Sequence, residues 1–239
     1  DDVIMLAKNW GKAYTSFPCV QVLLKINENA KFFLASFLYR FKDAIPEEDI
    51  KVVSESLMKL FAIMDATNAN YSSKDFKMFL FKEQVKMLDP EIPVEIIRKD
   101  FASHLSKWSQ KDIEEYLQDY TDSALVPLNE YIYAKENDPT FNLLDKYDIE
   151  HIMPSSGRNQ QSVRLNAGIQ DGDDFKTIVN LLGNKIILEY SINRAVGADW
   201  FQSKILGDLK EKKGYQNSKY PFAKALVNKY EKEDKKYWT

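Results

Sequence analysis

Apolar residues recur at helical spacing along the first 140 residues of the chain. The clearest stripe consists of Ile50, Val53, Leu57, Leu60, Phe61 and Met64. Residues at this spacing fall on one side of a helix, so the stripe predicts a helix that packs one face against a core. Shorter helical runs follow Ser72-Ser73, Ser109 and Ser123, and serine is a preferred N-cap residue. The pattern therefore predicts a helical bundle over residues 1–140.

The pattern changes after Asn137-Asp138-Pro139, which is the clearest break in the helical spacing. Residues 147–153 form a short segment in which polar and apolar residues partly alternate, and Pro154 follows it, so the segment predicts a strand. Residues 185–189 follow a Leu-Gly-Asn turn and predict a second strand. A helix is expected after it, starting near Asn193 or at Asp199.

The two predicted strands are separated by residues 155–178, which are mostly polar. They predict a long loop that could include one short helical turn, and loops of this length inside a domain are usually functional or mobile. We therefore predict a mostly α fold in two parts. A helical subdomain covers residues 1–140, and a smaller subdomain over residues 141–239 has the order strand, loop, strand, helix.

Composition supports a helix-rich chain with a real core. Of the 239 residues, 44% are hydrophobic and 13% aromatic, while glycine and proline number only 8 each, which is low for a β-sandwich. The formal net charge is −3, so the chain as a whole is not a basic nucleic-acid binder. Any nucleic-acid surface must be a local basic patch.

Cysteine content and apolar runs exclude several other classes of protein. Cys19 is the single cysteine, which excludes a disulfide framework and a thiolate zinc site and fits a reducing cytoplasm. The apolar runs are far shorter than the roughly 20 residues that span a bilayer, so no membrane contact is expected. Because the chain begins Asp1-Asp2 without an initiator Met, we expect it to be a fragment of a larger protein.

Candidate chemistry is concentrated in three short segments of the second part. They are Tyr147-Asp148-Ile149-Glu150-His151-Ile152-Met153-Pro154, then Leu182-Gly183-Asn184-Lys185, then Asn193-Arg194. A neutral histidine is the usual general base near pH 7, so His151 is the candidate base. A hard divalent ion such as Mg²⁺ prefers oxygen ligands and keeps several waters, so one carboxylate and one amide oxygen are enough. Glu150 and Asn193 can supply them.

Two further residues have candidate roles beside these three. Asp148 is a second candidate metal ligand, and Asn184 can either hold the hairpin or orient the imidazole. On a regular strand Asp148 and Glu150 share one face while His151 points the other way. The site then needs a twisted strand end, or a phosphate that bridges both sides.

The three segments resemble the HNH, or ββα-metal, nuclease motif. The acid–His–Ile–x–Pro run is similar to the first strand of that motif, and the two asparagines nine positions apart are similar to its second strand and helix start. The closer resemblance is to the C-terminal HNH domain of GmrSD-type modification-dependent restriction enzymes and SspE-like phage-defence nucleases. That family continues with Phe-x-x-Lys, here Phe201-Gln202-Ser203-Lys204.

The resemblance implies a role for each motif residue. His151 would be the general base, Glu150 and Asn193 would bind Mg²⁺ or Mn²⁺, and Asn184 would be the middle residue of the motif. Lys204 would be a phosphate contact. The other candidate nucleic-acid contacts are Arg158, Arg164, Lys185 and Arg194.

The leading hypothesis is therefore a metal-dependent DNA endonuclease or nickase that restricts phage or modified DNA. One site cuts one strand, so a double-strand break would need a homodimer or two visits. The GmrSD family also pairs this domain with an N-terminal nucleotide-binding domain whose motif is absent here, so that domain or a partner subunit is expected elsewhere.

Two alternatives remain open from the sequence. The first is a degenerate module that binds nucleic acid or a partner without cutting, which the net charge of −3 slightly favours. The second keeps the same residues but cleaves RNA.

Overall fold

The structure is a computed structural model that describes residues 2–69, 73–143, 146–207 and 212–232. The chain divides into two compact units, residues 1–117 and 118–239. The helices of the first unit are α1 (Asp2–Ser16), α2 (Pro18–Ile26), α3 (Ala30–Arg40), α4 (Glu47–Ala66), α5 (Lys74–Leu88), α6 (Val94–Leu105) and α7 (Gln110–Gln118), which ends at the division. The helical prediction for this region is confirmed.

The core of the first unit is built around α4. All six residues of the predicted apolar stripe are buried, and the helix packs against α2 and α6. Its first turn carries Glu47, Glu48 and Asp49, whose charges are favourable beside the positive end of the helix dipole. The Ser73 hydroxyl accepts a hydrogen bond from Phe76 N and so caps α5, whereas Ser72 lies outside the described residues.

The second unit holds a two-stranded sheet among helices. Its elements are α8 (Val126–Asn137), β1 (Tyr147–His151), α9 (Gln160–Asn166), α10 (Gly172–Asn180), β2 (Lys185–Glu189), α11 (Tyr190–Val196), α12 (Phe201–Leu206) and α13 (Pro221–Lys232). The strands are antiparallel, with Tyr147 opposite Glu189 and His151 opposite Lys185. Both predicted strands are confirmed, and a mostly helical fold with a small sheet is observed.

The prediction of a long loop over residues 155–178 is wrong, because two helices occupy most of that segment. Helix α10 begins where the Asp171 carboxylate accepts hydrogen bonds from the backbone N–H groups of Asp173 and Asp174. Asp171 is thus the N-cap residue of this helix. The buried Phe175 and Val179 supply one apolar face for this helix.

The helix after β2 also begins earlier than predicted. Helix α11 starts directly after the strand and ends at Gly197, whose φ of +48° is readily adopted by glycine. A second helix, α12, then starts with Trp200 at its N-cap position. Asn193 therefore lies inside the short helix α11 rather than at its beginning.

The division between the units falls earlier in the chain than the break predicted from Asn137-Asp138-Pro139. That break does end α8, but α8 packs against β2 and α13 and so belongs to the second unit.

Among the described helices, none has the length and apolar content needed to cross a membrane.

Candidate functional site

Asp148 and Asn193 come together although they are 45 residues apart in the chain. Asn193 Nδ2 donates a hydrogen bond to Asp148 Oδ2 at 3.1 Å. Asp148 projects from β1 and Asn193 from α11, which packs against both strands. Both side chains are only partly buried, so their remaining oxygens are not sealed inside the core. This pair forms one part of the candidate site.

Glu150 lies inside the unit rather than beside that pair. Its Oε1 accepts hydrogen bonds from Lys204 Nζ at 2.6 Å and from the Tyr215 hydroxyl at 2.8 Å. Burial raises the pKa of the Glu150 carboxyl, and the Lys204 ammonium opposes that shift. Burial likewise lowers the pKa of Lys204, with Glu150 opposing. The predicted metal ligand Glu150 is therefore half of a buried ion pair.

Lys204, predicted as a phosphate contact, has no exposed surface. Besides Glu150, its Nζ donates to the main-chain oxygen of His151 at 2.6 Å. The ammonium therefore faces the end of β1 and not the solvent. Tyr215, the third member of this cluster, was not singled out by the sequence. No local pattern marks it, because its contact with Glu150 spans 65 residues of chain.

His151 stands at the end of β1 with its ring half-buried. Burial and the nearby charge of Lys185 lower the pKa of the imidazole, while a hydrogen bond with the Asn180 side chain opposes that shift. The ring is therefore neutral at pH 7, as a general base requires. Its Nε2 is shielded from solvent and has no hydrogen-bond partner within the described part of the chain. That nitrogen is thus the ring atom whose hydrogen-bonding capacity is unused within the described residues.

Asn184 joins the segment that follows β1 to the last turn of helix α10. Its side chain accepts a hydrogen bond from Met153 N at 2.7 Å and donates to Met153 O at 2.9 Å and Val179 O at 2.8 Å. Its main-chain oxygen also accepts from Ile152 N. Of the two roles open from the sequence, these contacts match that of holding the hairpin.

The remaining predicted nucleic-acid contacts differ in exposure. Lys185 is buried and donates to the main-chain oxygen of Thr121, and Arg164 donates to Gln170 O. Arg158 is largely exposed and pairs with Asp199 at 2.8 Å. Arg194 lies over the Tyr190 ring at 3.9 Å and is also exposed. The two arginines Arg158 and Arg194 therefore present cations at the surface.

Comparison with known families assigns the chain to a class of protein. Residues 97–239 match the family described as GmrSD restriction endonucleases, C-terminal domain, and the chain belongs to this family. The resemblance to the C-terminal domain of GmrSD-type restriction enzymes is confirmed, and the match includes every candidate site residue. Neither the curated proteins nor the solved structures contain a significant match.

Proposed function

We propose that this chain is a metal-dependent DNA endonuclease domain of the HNH type that nicks phage or modified DNA. One observation carries the proposal above all. Two antiparallel strands followed directly by a helix hold His151 on the same strand as Asp148, whose carboxylate accepts a hydrogen bond from Asn193. Membership of a restriction endonuclease family supports the same role. Restriction of invading DNA is the biological role that this family suggests.

The Asp148–Asn193 pair fits a hard divalent cation. No group of three or more His, Cys, Asp or Glu residues suited to a metal occurs in the described ranges. A carboxylate and an amide oxygen are nevertheless sufficient for Mg²⁺, which retains several waters. Glu150 fits this task less well, because Lys204 and Tyr215 already occupy Oε1. When bound beside Asp148, Mg²⁺ or Mn²⁺ would supply positive charge that offsets the charge developing on the phosphate.

The chain's own residues account for the proton transfer. Among the described residues none forms a hydrogen bond with His151 Nε2, and burial lowers the pKa of the ring, so this nitrogen can take a proton from the attacking water. In-line attack on phosphorus would release 5′-phosphate and 3′-hydroxyl ends. Because Nε2 is shielded from solvent, we expect the groups that cover it to move when DNA binds. Of the arginines and lysines predicted as nucleic-acid contacts, Arg158 and Arg194 are exposed, and we assign phosphate contacts to them.

Mn²⁺ binding to the purified chain tests the ligand assignment. We expect Asp148→Asn and Asn193→Ala each to weaken Mn²⁺ affinity by about tenfold or more. The first substitution removes the negative charge of the carboxylate ligand, and the second removes the amide oxygen. His151→Ala should bind Mn²⁺ as the wild type does while losing DNA cleavage. Asp173→Asn, an exposed carboxylate on α10, is the matched control. Unchanged Mn²⁺ affinity in Asp148→Asn would refute this ligand assignment.

A second candidate function is a degenerate site that binds nucleic acid without cutting it. The shielded His151 Nε2 favours this alternative, and so does the buried Lys204, whose Nζ already donates to Glu150 and to His151 O. It predicts salt-sensitive DNA binding that persists in EDTA and survives Glu150→Ala. Side-by-side digestion of RNA and DNA separates the remaining alternative, an RNA nuclease, from the leading proposal.

A further inference from the structure

We propose that Lys204 is a positioning residue that fixes the end of β1, and with it the orientation of His151. This inference rests on the proposed function, in which His151 is the base. Lys204 donates to the Glu150 side chain and to the main-chain oxygen of His151, both at 2.6 Å. The ammonium of Lys204 therefore contacts the backbone of the general base His151 and the side chain of the preceding residue, Glu150.

The alternation of a strand explains why this contact matters. Neighbouring side chains of a regular strand point to opposite faces, so Glu150 and His151 project in different directions. Lys204 binds the side chain of one and the carbonyl of the other, which fixes the relation between them. Charge-assisted hydrogen bonds are short and directional, so the peptide between these residues has little freedom to rotate.

Stability alone is a poor reason to bury this ion pair. Lys204 has no exposed surface and Glu150 is only 5% exposed. Taking two charges out of water costs about as much as their attraction returns, and well-packed apolar residues often serve stability equally well. We therefore assign the buried Lys204–Glu150 pair the role of fixing the geometry at the end of β1.

Close backbone packing beside α12 holds the third member of the cluster. A Cβ added at Gly214 would lie 2.7 Å from both Lys204 O and Ile205 O, and one added at Gly207 would overlap Lys212 O. The end of α12 and the turn that carries Tyr215 thus pack without room for side chains. This contact places the Tyr215 hydroxyl against Glu150 Oε1, so the carboxylate is held from two sides.

The experiment compares Lys204→Met, Glu150→Gln and the double variant with wild type. Met keeps the length of the side chain and removes its charge. Lys213→Met, at an exposed position in the same unit, controls for the loss of one positive charge. The readouts are kcat and KM for DNA cleavage, and the NMR signals of the two histidine rings in the metal-free, DNA-free protein. His104 serves as the internal reference because it lies in the first unit.

We expect Lys204→Met to lower kcat about 10–100-fold with a smaller change in KM, as for residues that orient a catalytic group. The His151 ring signals should shift while those of His104 stay in place. Lys204→Met leaves the buried Glu150 carboxylate without its cationic partner, and the double variant also removes the charge of Glu150. The double variant should therefore recover thermal stability without recovering kcat. A double variant with wild-type kcat, or His151 signals that do not move in Lys204→Met, would overturn the inference.

The two proposals fail in distinguishable ways. A folded wild-type chain that cleaves neither DNA nor RNA in Mg²⁺ or Mn²⁺ would overturn the nuclease proposal. The ring signals require no activity, so they decide for or against the positioning of His151 in either case.

Discussion

The two units of this chain differ in how many charged side chains they bury. The first unit fills its core with aromatic and aliphatic residues such as Phe33, Phe37 and Phe101, and Glu83 is the one buried charged residue among those the structure describes there. In the described part of the second unit four charged residues are buried: Glu130, Glu150, Lys185 and Lys204. Burying charge is costly unless each group is paired. The second unit therefore gives up stability to hold polar groups in fixed places, and the candidate site lies there.

The two histidines show the same contrast on a small scale. His104 stacks on Phe79 with ring centroids 4.2 Å apart and an interplanar angle of 16°, so it is a packing histidine. His151 instead lies near Asn180 and Lys185. Burial lowers the pKa of both rings, so the pKa does not distinguish them. Their neighbours do, since only polar neighbours orient a ring for proton transfer.

The largest expected stability effect comes from the apolar core of the first unit. Phe101 is 1% exposed and its ring packs against Phe33. Phe101→Ala should lower the free energy of unfolding by about 3–5 kcal/mol through lost transfer energy and a residual cavity. Urea unfolding at pH 5 and pH 8 should show a similar loss at both, because no charge is involved. A loss that changes strongly with pH would break the contrast between the units.

The next effect reports the cost of a buried charge in the second unit. Burial raises the pKa of Glu130 to about 7, well above that of an exposed glutamate. The folded state therefore holds a proton that the unfolded state releases, and stability falls as the pH rises from about 4.5 to 7. Glu130→Gln removes this loss and should stabilise the chain by up to about 3 kcal/mol at pH 8, with little gain at pH 4.

The control for that prediction lies on the same helix. Glu136→Gln makes the same charge change at an exposed position of α8 and should leave stability nearly constant at both pH values. Gln at position 130 still offers an acceptor to Phe222 N, which Glu130 Oε1 binds at 2.9 Å. Equal thermal shifts for Glu130→Gln at pH 4 and pH 8 would show that Glu130 is not held protonated.

A smaller effect is expected where Asn184 holds the hairpin. Asn184→Ala leaves the N–H and the carbonyl of Met153 and the carbonyl of Val179 without their side-chain partner. The loss should be about 1–3 kcal/mol, since partly buried polar groups become unsatisfied. Thermal unfolding measures it, with Asn166→Ala on the exposed side of α9 as control. Equal stability of the two variants would argue against the structural role of Asn184.

The smallest stability effect is expected at the surface of the second unit. Arg158 pairs with Asp199 while 77% of its side chain is exposed, so Arg158→Ala should change stability by less than about 1 kcal/mol. If Arg158 contacts a phosphate, the same variant should lower DNA affinity and reduce the salt slope by about one. Fluorescence anisotropy at several salt concentrations measures this, and an unchanged slope would remove Arg158 from the interface.

Local patterns in the sequence predict the regular parts of this fold. The stripe on α4 and the proline and Leu-Gly-Asn boundaries of the strands depend on near neighbours, and both predictions hold. Helices α9 and α10 escape prediction because they are short and mostly polar. Few residues of each helix are buried: Val163 in α9, and Phe175 and Val179 in α10.

At the candidate site, sequence motifs predict which residues matter but not which residues contact each other. The motif identifies Glu150 and Lys204 as functional candidates but not that they face each other, since their contact spans 54 residues. Tyr215 belongs to no motif and joins them only through packing of α12 against the following turn. Residue types were therefore predictable here, whereas the partner of each buried charge depends on tertiary contacts.

Digestion of supercoiled plasmid tests the central claim most directly. Wild type, His151→Ala and His104→Ala are incubated with Mg²⁺, Mn²⁺ or EDTA at a temperature where all three are folded. We predict metal-dependent nicking by wild type and by His104→Ala, and a loss of about 10²–10⁴-fold in His151→Ala. Nicking by His151→Ala at the wild-type rate, or nicking that persists in EDTA, would contradict the assignment of His151 as the base of a metal-dependent nuclease.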